Sequence, residues 1–241
     1  MPNYASVSTS TVTPKVIFFD AMGTLFGLQS SVGEIYRQYA AAYGVEADAE
    51  LLDKAFLKSF KSAPPLAFSD LELTKIEERE FDWWQSVVKI TFSQLGLLEK
   101  FGNFTAFFTD VYTYFTTAKP WSVYPDTFPC LRRWQDRGVE LGIISNFDTR
   151  LIKVLKLLDL ERFFTSITIS SVAGFAKPDQ NIFNIALNKH DTIARQAWHI
   201  GDSLIADYQG SKNAGINAFL LNRNSLSLNL KNQLPNLSSL G

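Results

Sequence analysis

Five short apolar runs recur along the chain, and they constrain its fold more than any other feature. The runs cover residues 16–19, 139–144, 167–169, 197–200 and 218–221. Continuous apolar runs that end in small or polar residues are typical of strands buried on both faces of a parallel sheet. Helical patterns of apolar residues accompany them, at 128–137, 151–158 and 182–188. We therefore predict an α/β fold with a doubly wound, mainly parallel sheet.

The interval between the first and second runs departs from this alternation. It carries helical patterns around residues 32–43, 50–60, 76–95 and 101–117, and no convincing strand. We predict a helical cap at residues 27–119, inserted into a core made of residues 1–26 and 120–241. Because the insertion leaves after the first strand, it should start near the carboxyl end of that strand, where open α/β sheets bind ligands. An insertion in that position can act as a lid.

The charge balance argues against two classes of partner. The 23 Lys and Arg residues against 24 Asp and Glu give a net charge of −1, which leaves no overall basic field for nucleic acid or an anionic membrane. No apolar run approaches the roughly 18 residues that a membrane span requires. The single cysteine, Cys130, cannot form an intramolecular disulfide. Residues 1–14 are rich in Ser and Thr, lack the apolar region of a secretion signal, and look like a frayed tail. Because neither this segment nor the single cysteine suggests an oxidising compartment, we expect a cytoplasmic protein.

Asp20 directly follows the first apolar run and precedes the Gly23-Thr24 turn. A carboxylate at a strand end, surrounded by backbone N–H groups, can attack an electrophile and form a covalent intermediate. An aspartate at such a junction can equally be a simple turn former. Asp20 alone therefore leaves both interpretations open.

Three later strand ends add polar side chains to the same predicted edge. Ser145 and Asn146 follow the second run and can donate hydrogen bonds to an oxyanion. Lys177 lies after the third run, and its ammonium group suits phosphate. Asp202 and Asp207 follow the fourth run and suit a hard cation such as Mg²⁺. Taken singly they could be a helix cap, a solvated charge and a turn residue, but four such strand ends together predict a functional site.

This ordered set resembles the haloacid dehalogenase superfamily of hydrolases, and most closely the branch called haloacid dehalogenase-like hydrolase domain-containing proteins. The resemblance covers residues 15–26 and about 120–222, and the helical stretch looks like that superfamily's inserted cap. It implies that Asp20 is the nucleophile and a metal ligand, and that Asp202, supported by Asp207, completes a Mg²⁺ site. The residues that it assigns to substrate binding are Thr24, Ser145, Asn146 and Lys177.

Met22 is the main departure from that pattern. Phosphatases of the superfamily usually carry a second Asp two residues after the nucleophile, as general acid and then general base, and here that position is Met22. A thioether cannot transfer a proton. The Met22 backbone carbonyl can still bind metal. Loss of a general acid/base typically costs about 10²–10⁴-fold in rate, which predicts weak turnover or a leaving group that needs little protonation.

Three functional hypotheses follow. The first is a Mg²⁺-dependent hydrolase of a small phosphorylated metabolite. The second is a 2-haloacid dehalogenase, because those enzymes also lack the second Asp; they need no metal, and the acidic pair Asp202 and Asp207 argues against this hypothesis. The third is a binding or regulatory protein on the same fold, and Met22 is its main support.

Other candidate residues are better explained by packing. His199 lies within an apolar run, which favours a packed residue over a catalytic base. Cys130 lies on an apolar helix and is expected to be buried and inert. The aromatic cluster of Phe81, Trp83 and Trp84 is more typical of contacts between cap helices than of a substrate wall, the alternative.

Overall fold

The computed structural model describes residues 13–69, 72–223, 230 and 232–241. Residues 1–12 of the predicted tail 1–14 lie outside this range. Six strands form a parallel sheet in the order β5-β4-β1-β6-β7-β8. They are β1 (Val16–Phe19), β4 (Glu140–Ser145), β5 (Ser166–Ile169), β6 (Ala197–Gly201), β7 (Asn217–Leu221) and β8 (Gln233–Leu234). The predicted α/β class and parallel sheet are confirmed.

The helices divide into two groups along the chain. Four lie between β1 and β4: α1 (Val32–Ala42), α2 (Ala49–Ser62), α3 (Leu73–Gln94) and α4 (Phe104–Tyr114). The others are α5 (Thr127–Asp136), α6 (Arg150–Leu157), α7 (Ser170–Ala173), α8 (Gln180–Asn188) and α9 (Gly210–Asn213). A π-helical segment, Leu204–Gln209, leads directly into α9. Short 3-10 turns complete the described helical structure. No helix in the described ranges is both long and apolar enough to cross a membrane.

Strand β1 forms the centre of the sheet, and all four of its side chains are buried. Successive side chains point to opposite faces of the sheet. Ile17 and Phe19 pack in the cluster that includes the apolar residues of α5 and α6, whereas Phe18 packs in the cluster of α8. Helices therefore cover both faces, which explains why the strand sequences are continuously apolar rather than alternating.

The chain builds the sheet outward from β1 in both directions, through β4 and β5 on one side and through β6, β7 and β8 on the other. The strand order therefore reverses beside β1. In open α/β sheets such a reversal leaves a crevice at the carboxyl ends of the strands, where ligands bind. Asp20 directly follows β1 and lies at this crevice.

Three short strands were not predicted from the sequence: β8 at the edge of the main sheet and a separate pair. β2 (Phe26–Leu28) and β3 (Trp121–Val123) form an antiparallel pair, in which Phe26 is opposite Val123 and Leu28 opposite Trp121. The helical insertion leaves after β2 and returns at β3. The sequence showed no convincing strand from residue 27 to 119, whereas the last two residues of β2 lie in that range. Each strand of this pair has only three residues, and its pairing is non-local, so the local pattern carries no strand signal.

The four predicted helices of the insertion are present, with their own apolar core. Phe92 on α3 is fully buried, and its ring lies 5.1 Å from that of Phe107 and 6.0 Å from that of Tyr36. α1 and α2 begin with side-chain caps, in which Ser31 and Asp48 accept hydrogen bonds from backbone N–H groups of the first turn.

Candidate active site

The predicted polar residues converge at the carboxyl edge of the sheet. Asp20 follows β1, Ser145 is the last residue of β4, and Asp202 follows β6. Lys177 reaches them from the loop between α7 and α8. Asn146 holds this loop, since its Nδ2 donates to the Lys177 carbonyl at 2.8 Å and its Oδ1 accepts from the Lys177 backbone N–H at 2.7 Å. The contacts of Asn146 are thus with the lysine loop.

Lys177 is the electrostatic centre of this cluster. Its ammonium group donates to Asp20 Oδ1 at 2.7 Å, to Asp207 Oδ1 at 2.6 Å and to the Ile144 carbonyl at 2.7 Å. These contacts use its three N–H donors. Burial disfavours the ammonium form, but the charges of Asp20 and Asp207 outweigh it and raise the pKa of Lys177 above its usual value. Lys177 is therefore a fixed positive charge beside the proposed nucleophile.

Asp20 is almost completely buried, with two hydroxyl groups near its carboxylate. Ser145 Oγ donates to Asp20 Oδ1 at 3.2 Å, and Thr24 Oγ1 lies 3.5 Å from Oδ2. Burial raises the pKa of Asp20, Lys177 opposes this shift, and the negative charge of Asp207 adds to it. Thr24 itself is fully buried. Its contact is with the Asp20 carboxylate, so its predicted role in substrate binding stays a prediction.

Asp207 is buried and held on several sides. Its carboxylate accepts hydrogen bonds from Lys177, from the Ser203 backbone N–H at 2.9 Å and from His199 Nε2 at 3.0 Å. Although burial opposes ionisation, Lys177 and His199 lower the pKa of Asp207 below its usual value. A Cβ on Gly201 would lie 2.1 Å from the Asp207 carboxyl carbon, so this packing requires glycine there. Asp207 is an ionised residue that positions Lys177.

Asp202 differs from Asp207 because it is exposed rather than buried. Desolvation by the surrounding protein and the charges of Asp20 and Asp207 raise the pKa of Asp202 to about 7. Gly23 lies against it: a Cβ at this position would be 2.5 Å from Asp202 Oδ2, and the Gly23 φ of +90° is unfavourable for other residues. The turn after β1 can therefore approach the carboxylate only because residue 23 is glycine.

The donor atoms of this cluster fit a divalent cation. Carboxylate oxygens of Asp20, Asp202 and Asp207 all lie within 4.8 Å of one another. When all three are ionised, the ammonium group of Lys177 neutralises one charge and a net charge of −2 remains. Hard oxygen donors with this charge suit Mg²⁺. Both oxygens of Asp207 accept short hydrogen bonds, at 2.6 and 2.9 Å, whereas Asp20 Oδ2 has a long contact of 3.5 Å with Thr24. Asp20 and Asp202 are therefore the better placed ligands.

A cavity of about 550 Å³ lies above these residues, between the insertion and the sheet edge. Asp20, Lys177 and Asp202 line its polar end. Eight aromatic residues contribute to its walls: Phe56, Phe60, Trp84, Phe108, Tyr112, Phe115, Trp121 and Phe147. Its size is within the range typical of small-molecule sites. Met22 also lines this cavity and is 40% exposed.

The aromatic cluster of the insertion serves both interpretations that the sequence left open. The Phe81 ring packs against Phe108 at 4.8 Å, and Trp83 packs against Trp84 at 4.9 Å, as expected for helix contacts. Trp84 additionally lines the cavity. Of the three residues in this cluster, Trp84 is therefore the one that lines the cavity in the described part of the chain.

Two polar groups that connect the insertion to the core were missed by the sequence analysis. Asp148 is fully buried, accepts from Trp84 Nε1 at 2.6 Å, and forms a bidentate pair with Arg150 at 2.8 and 2.6 Å. Glu80 on α3 is also fully buried and accepts hydrogen bonds from Thr149 and Ser171. Burial raises the pKa of Glu80. These contacts hold α3 against the loops at the catalytic edge.

The two residues predicted to be packed rather than catalytic are both fully buried. His199 lies edge-on to the Phe183 ring at 5.4 Å, and burial lowers its pKa. Cys130 on α5 has no exposed surface, and burial raises the pKa of its thiol to about 12. A thiol with this pKa is not a nucleophile at neutral pH.

The fold and this edge define a class of protein, an α/β protein with a parallel sheet and a strand-end aspartate beside a lysine. The sequence matches the haloacid dehalogenase-like hydrolase family over residues 14–215. The chain therefore belongs to this family, and the predicted resemblance is confirmed. It is 32% identical over 208 residues to haloacid dehalogenase-like hydrolase domain-containing protein 3 of Mus musculus, covering 86% of this chain and 81% of that protein.

Two solved structures illustrate the range of activities on this fold. A HAD phosphatase from Thermococcus onnurineus is 23% identical, with a TM-score of 0.65 and coverage of 94% of this chain and 95% of that one. An L-2-haloacid dehalogenase from Xanthobacter autotrophicus is 17% identical, with a TM-score of 0.69 and coverage of 95% and 97%. At these identities the likeness shows the fold alone, so the activity has to be argued from the site.

Proposed function

We propose that this hydrolase is a Mg²⁺-dependent phosphatase of small phosphorylated molecules, with Asp20 as its nucleophile. The observation that carries this proposal is the cluster of Asp20, Asp202 and Asp207. When all three are ionised, their combined negative charge is larger than the single positive charge of Lys177. A haloacid substrate brings its own carboxylate and would be repelled by this excess. A phosphate ester accompanied by a divalent cation would not be repelled in the same way.

In the proposed reaction an Asp20 carboxylate oxygen attacks phosphorus. A bond forms between that oxygen and phosphorus, and the bond from phosphorus to the leaving oxygen breaks. Lys177 and Ser145 both donate to Asp20 Oδ1, and from that position they can also stabilise the charge on the transferring oxygens. Water then cleaves the aspartyl phosphate, which releases phosphate and restores Asp20.

The residues that would hold Mg²⁺ are Asp20, Asp202 and the Met22 carbonyl, with Asp207 close by. Mg²⁺ would supply positive charge to neutralise the phosphoryl oxygens. Asp207 keeps Lys177 protonated and oriented, and it is itself fixed by His199 and the Ser203 backbone N–H.

Residues 27–119 are proposed to act as a cap that covers the site and selects substrates. The support for this role is that the insertion and the sheet edge line one cavity together, with Phe60 and Trp84 on one side and Asp20 on the other. Closure of such a segment excludes water from the reacting groups.

Activity screening tests the proposal directly. Phosphate esters and 2-haloacids should be assayed with Mg²⁺ and with a chelator, using Asp20→Asn as the variant that lacks the nucleophile. We expect hydrolysis of phosphate esters that requires both Mg²⁺ and Asp20. Chelator-resistant dehalogenation would establish the dehalogenase hypothesis instead, and absence of both activities in folded, Mg²⁺-binding protein would establish a binding protein.

A further inference from the structure

The upper part of the cavity has walls made of aromatic rings together with the aliphatic side chains of Leu28, Val32, Leu57 and Val111. Phe60 stacks on Phe56 at 5.7 Å and on Trp84 at 5.8 Å, while Phe115 lies 5.8 Å from Trp121 on the opposite strand β3. Phe60 is 40% exposed, so part of its ring has no protein neighbour. Rings that are fixed by one another and still open to a cavity offer flat apolar surface at little entropic cost.

The charged group in this upper part is already paired. Arg150 is the charged side chain that lines the described cavity outside the catalytic cluster. Its guanidinium group is neutralised by the bidentate contact with Asp148, donates to the Tyr112 carbonyl at 3.3 Å, and lies 3.8 Å above the Tyr112 ring. A second anionic group on a substrate would have to displace Asp148. Sugar hydroxyls would lose their hydrogen bonds to water against the rings without replacement.

Met22 gives an independent indication about the leaving group. Met22 lines the cavity two residues after Asp20 and its thioether cannot donate a proton, so a leaving oxygen beside it departs without an acid at that position. A phenolic oxygen can do so, since its conjugate acid has a pKa of about 10, as in tyrosine. An alkoxide is far more basic and needs protonation as it departs.

We infer that the substrate is an aryl phosphate monoester, whose aromatic ring packs against Phe60 and the neighbouring rings while its phosphate lies at Asp20. This inference rests on the proposed function and adds the class of leaving group. As the Asp20–phosphorus bond forms, the phosphorus–oxygen bond to the ring breaks. Its electron pair stays on the phenolic oxygen, which takes a proton from water. The wall chemistry and the residue at position 22 favour the same leaving group.

A pair of phosphonates tests the preference for a ring without needing turnover. Phenylphosphonate and methylphosphonate differ only in the ring, and their carbon–phosphorus bond resists hydrolysis. In calorimetric titrations of the wild-type protein with Mg²⁺, we expect phenylphosphonate to bind about tenfold or more tightly than methylphosphonate. Phe60→Ala should remove most of this difference. Leu51→Ala, which shortens an exposed side chain of the same helix, should retain it.

Kinetics with two leaving groups separate failure of the inference from failure of the proposed function. Acetyl phosphate has a good leaving group and no ring, so Asp20-dependent hydrolysis of it tests the phosphatase activity alone. Phenyl phosphate should have a kcat/KM at least about 10²-fold above that of glycerol phosphate, which lacks both ring and phenolic oxygen. Hydrolysis of acetyl phosphate with equal binding of both phosphonates would overturn the aryl assignment and leave the phosphatase standing. No hydrolysis of any phosphate would overturn both.

Discussion

Substitution of Met22 by Asp would test whether this site lacks only a proton-transfer group. Met22 lines the cavity two residues after Asp20. A carboxyl group there would lie near the acidic side chains of Asp20 and Asp202, whose negative charge raises the pKa of the new group and keeps part of it protonated near neutral pH. General acids contribute about 10²–10⁴-fold. Because residue 22 is 40% exposed and water already reaches it, we expect the lower end, about 10²-fold or 2.7 kcal/mol in activation free energy.

The assay compares initial rates on glycerol phosphate and phenyl phosphate at saturating Mg²⁺. Met22→Asp should accelerate the alkyl ester by that factor and the aryl ester much less, because a phenolic oxygen departs without protonation. Met22→Asn is the matched control, since it has the same shape and polarity but cannot supply a proton at neutral pH. An equal gain in both variants, or no gain in a folded and Mg²⁺-binding Met22→Asp protein, would refute the reasoning. Under the dehalogenase hypothesis the change should instead damage activity on 2-haloacids.

Three further outcomes follow from the site and its supports. Asp202→Asn should weaken Mg²⁺ binding measured by calorimetry at least about tenfold, whereas the exposed Asp136→Asn should not change it. Because the pKa of Asp202 in the metal-free protein is about 7 and only its ionised form binds a cation, Mg²⁺ affinity should be constant above that pH and fall as the pH drops below it; an unchanged affinity at pH 5.5 would contradict this. Glu80→Ala should lower the free energy of unfolding by about 3 kcal/mol in denaturant titrations, because it leaves hydrogen-bond donors of Thr149 and Ser171 unpaired. The exposed Glu78→Ala on the same helix should change stability little.

The parallel sheet could be predicted from the sequence because each of its main strands is a continuous apolar run whose end carries its polar residue. The carboxyl ends of parallel strands share one edge of the sheet, so residues at these ends, here Asp20, Ser145 and Asp202, are brought together. The pair β2 and β3 could not be predicted, because each strand has only three residues and pairs with a segment far away in the sequence, which leaves no local pattern. The three contacts of Lys177 depend likewise on how its loop is held by Asn146.

Glu80 illustrates a signal that was present but easy to miss. It lies four residues after Ile76 and four before Trp84, so it falls on the same helical stripe as two residues that face the protein interior or the cavity. Because residues 77–79 are also charged, Glu80 looks in the sequence like part of a solvent-exposed face. A charged residue within an apolar stripe indicates a buried partner elsewhere, but its identity follows only from the tertiary contacts.

The pairing of β2 with β3 has a consequence for how proteins of this architecture diversify. The ladder joins Phe26 to Val123 and Leu28 to Trp121, so the points where the helical segment leaves and rejoins the core are adjacent. The insertion can therefore change in length or sequence without moving the two points at which it is attached to the core. Evolution can exchange the helical segment as a module while the catalytic edge is inherited intact, and a chimaera joined at these strands is the laboratory equivalent of that exchange.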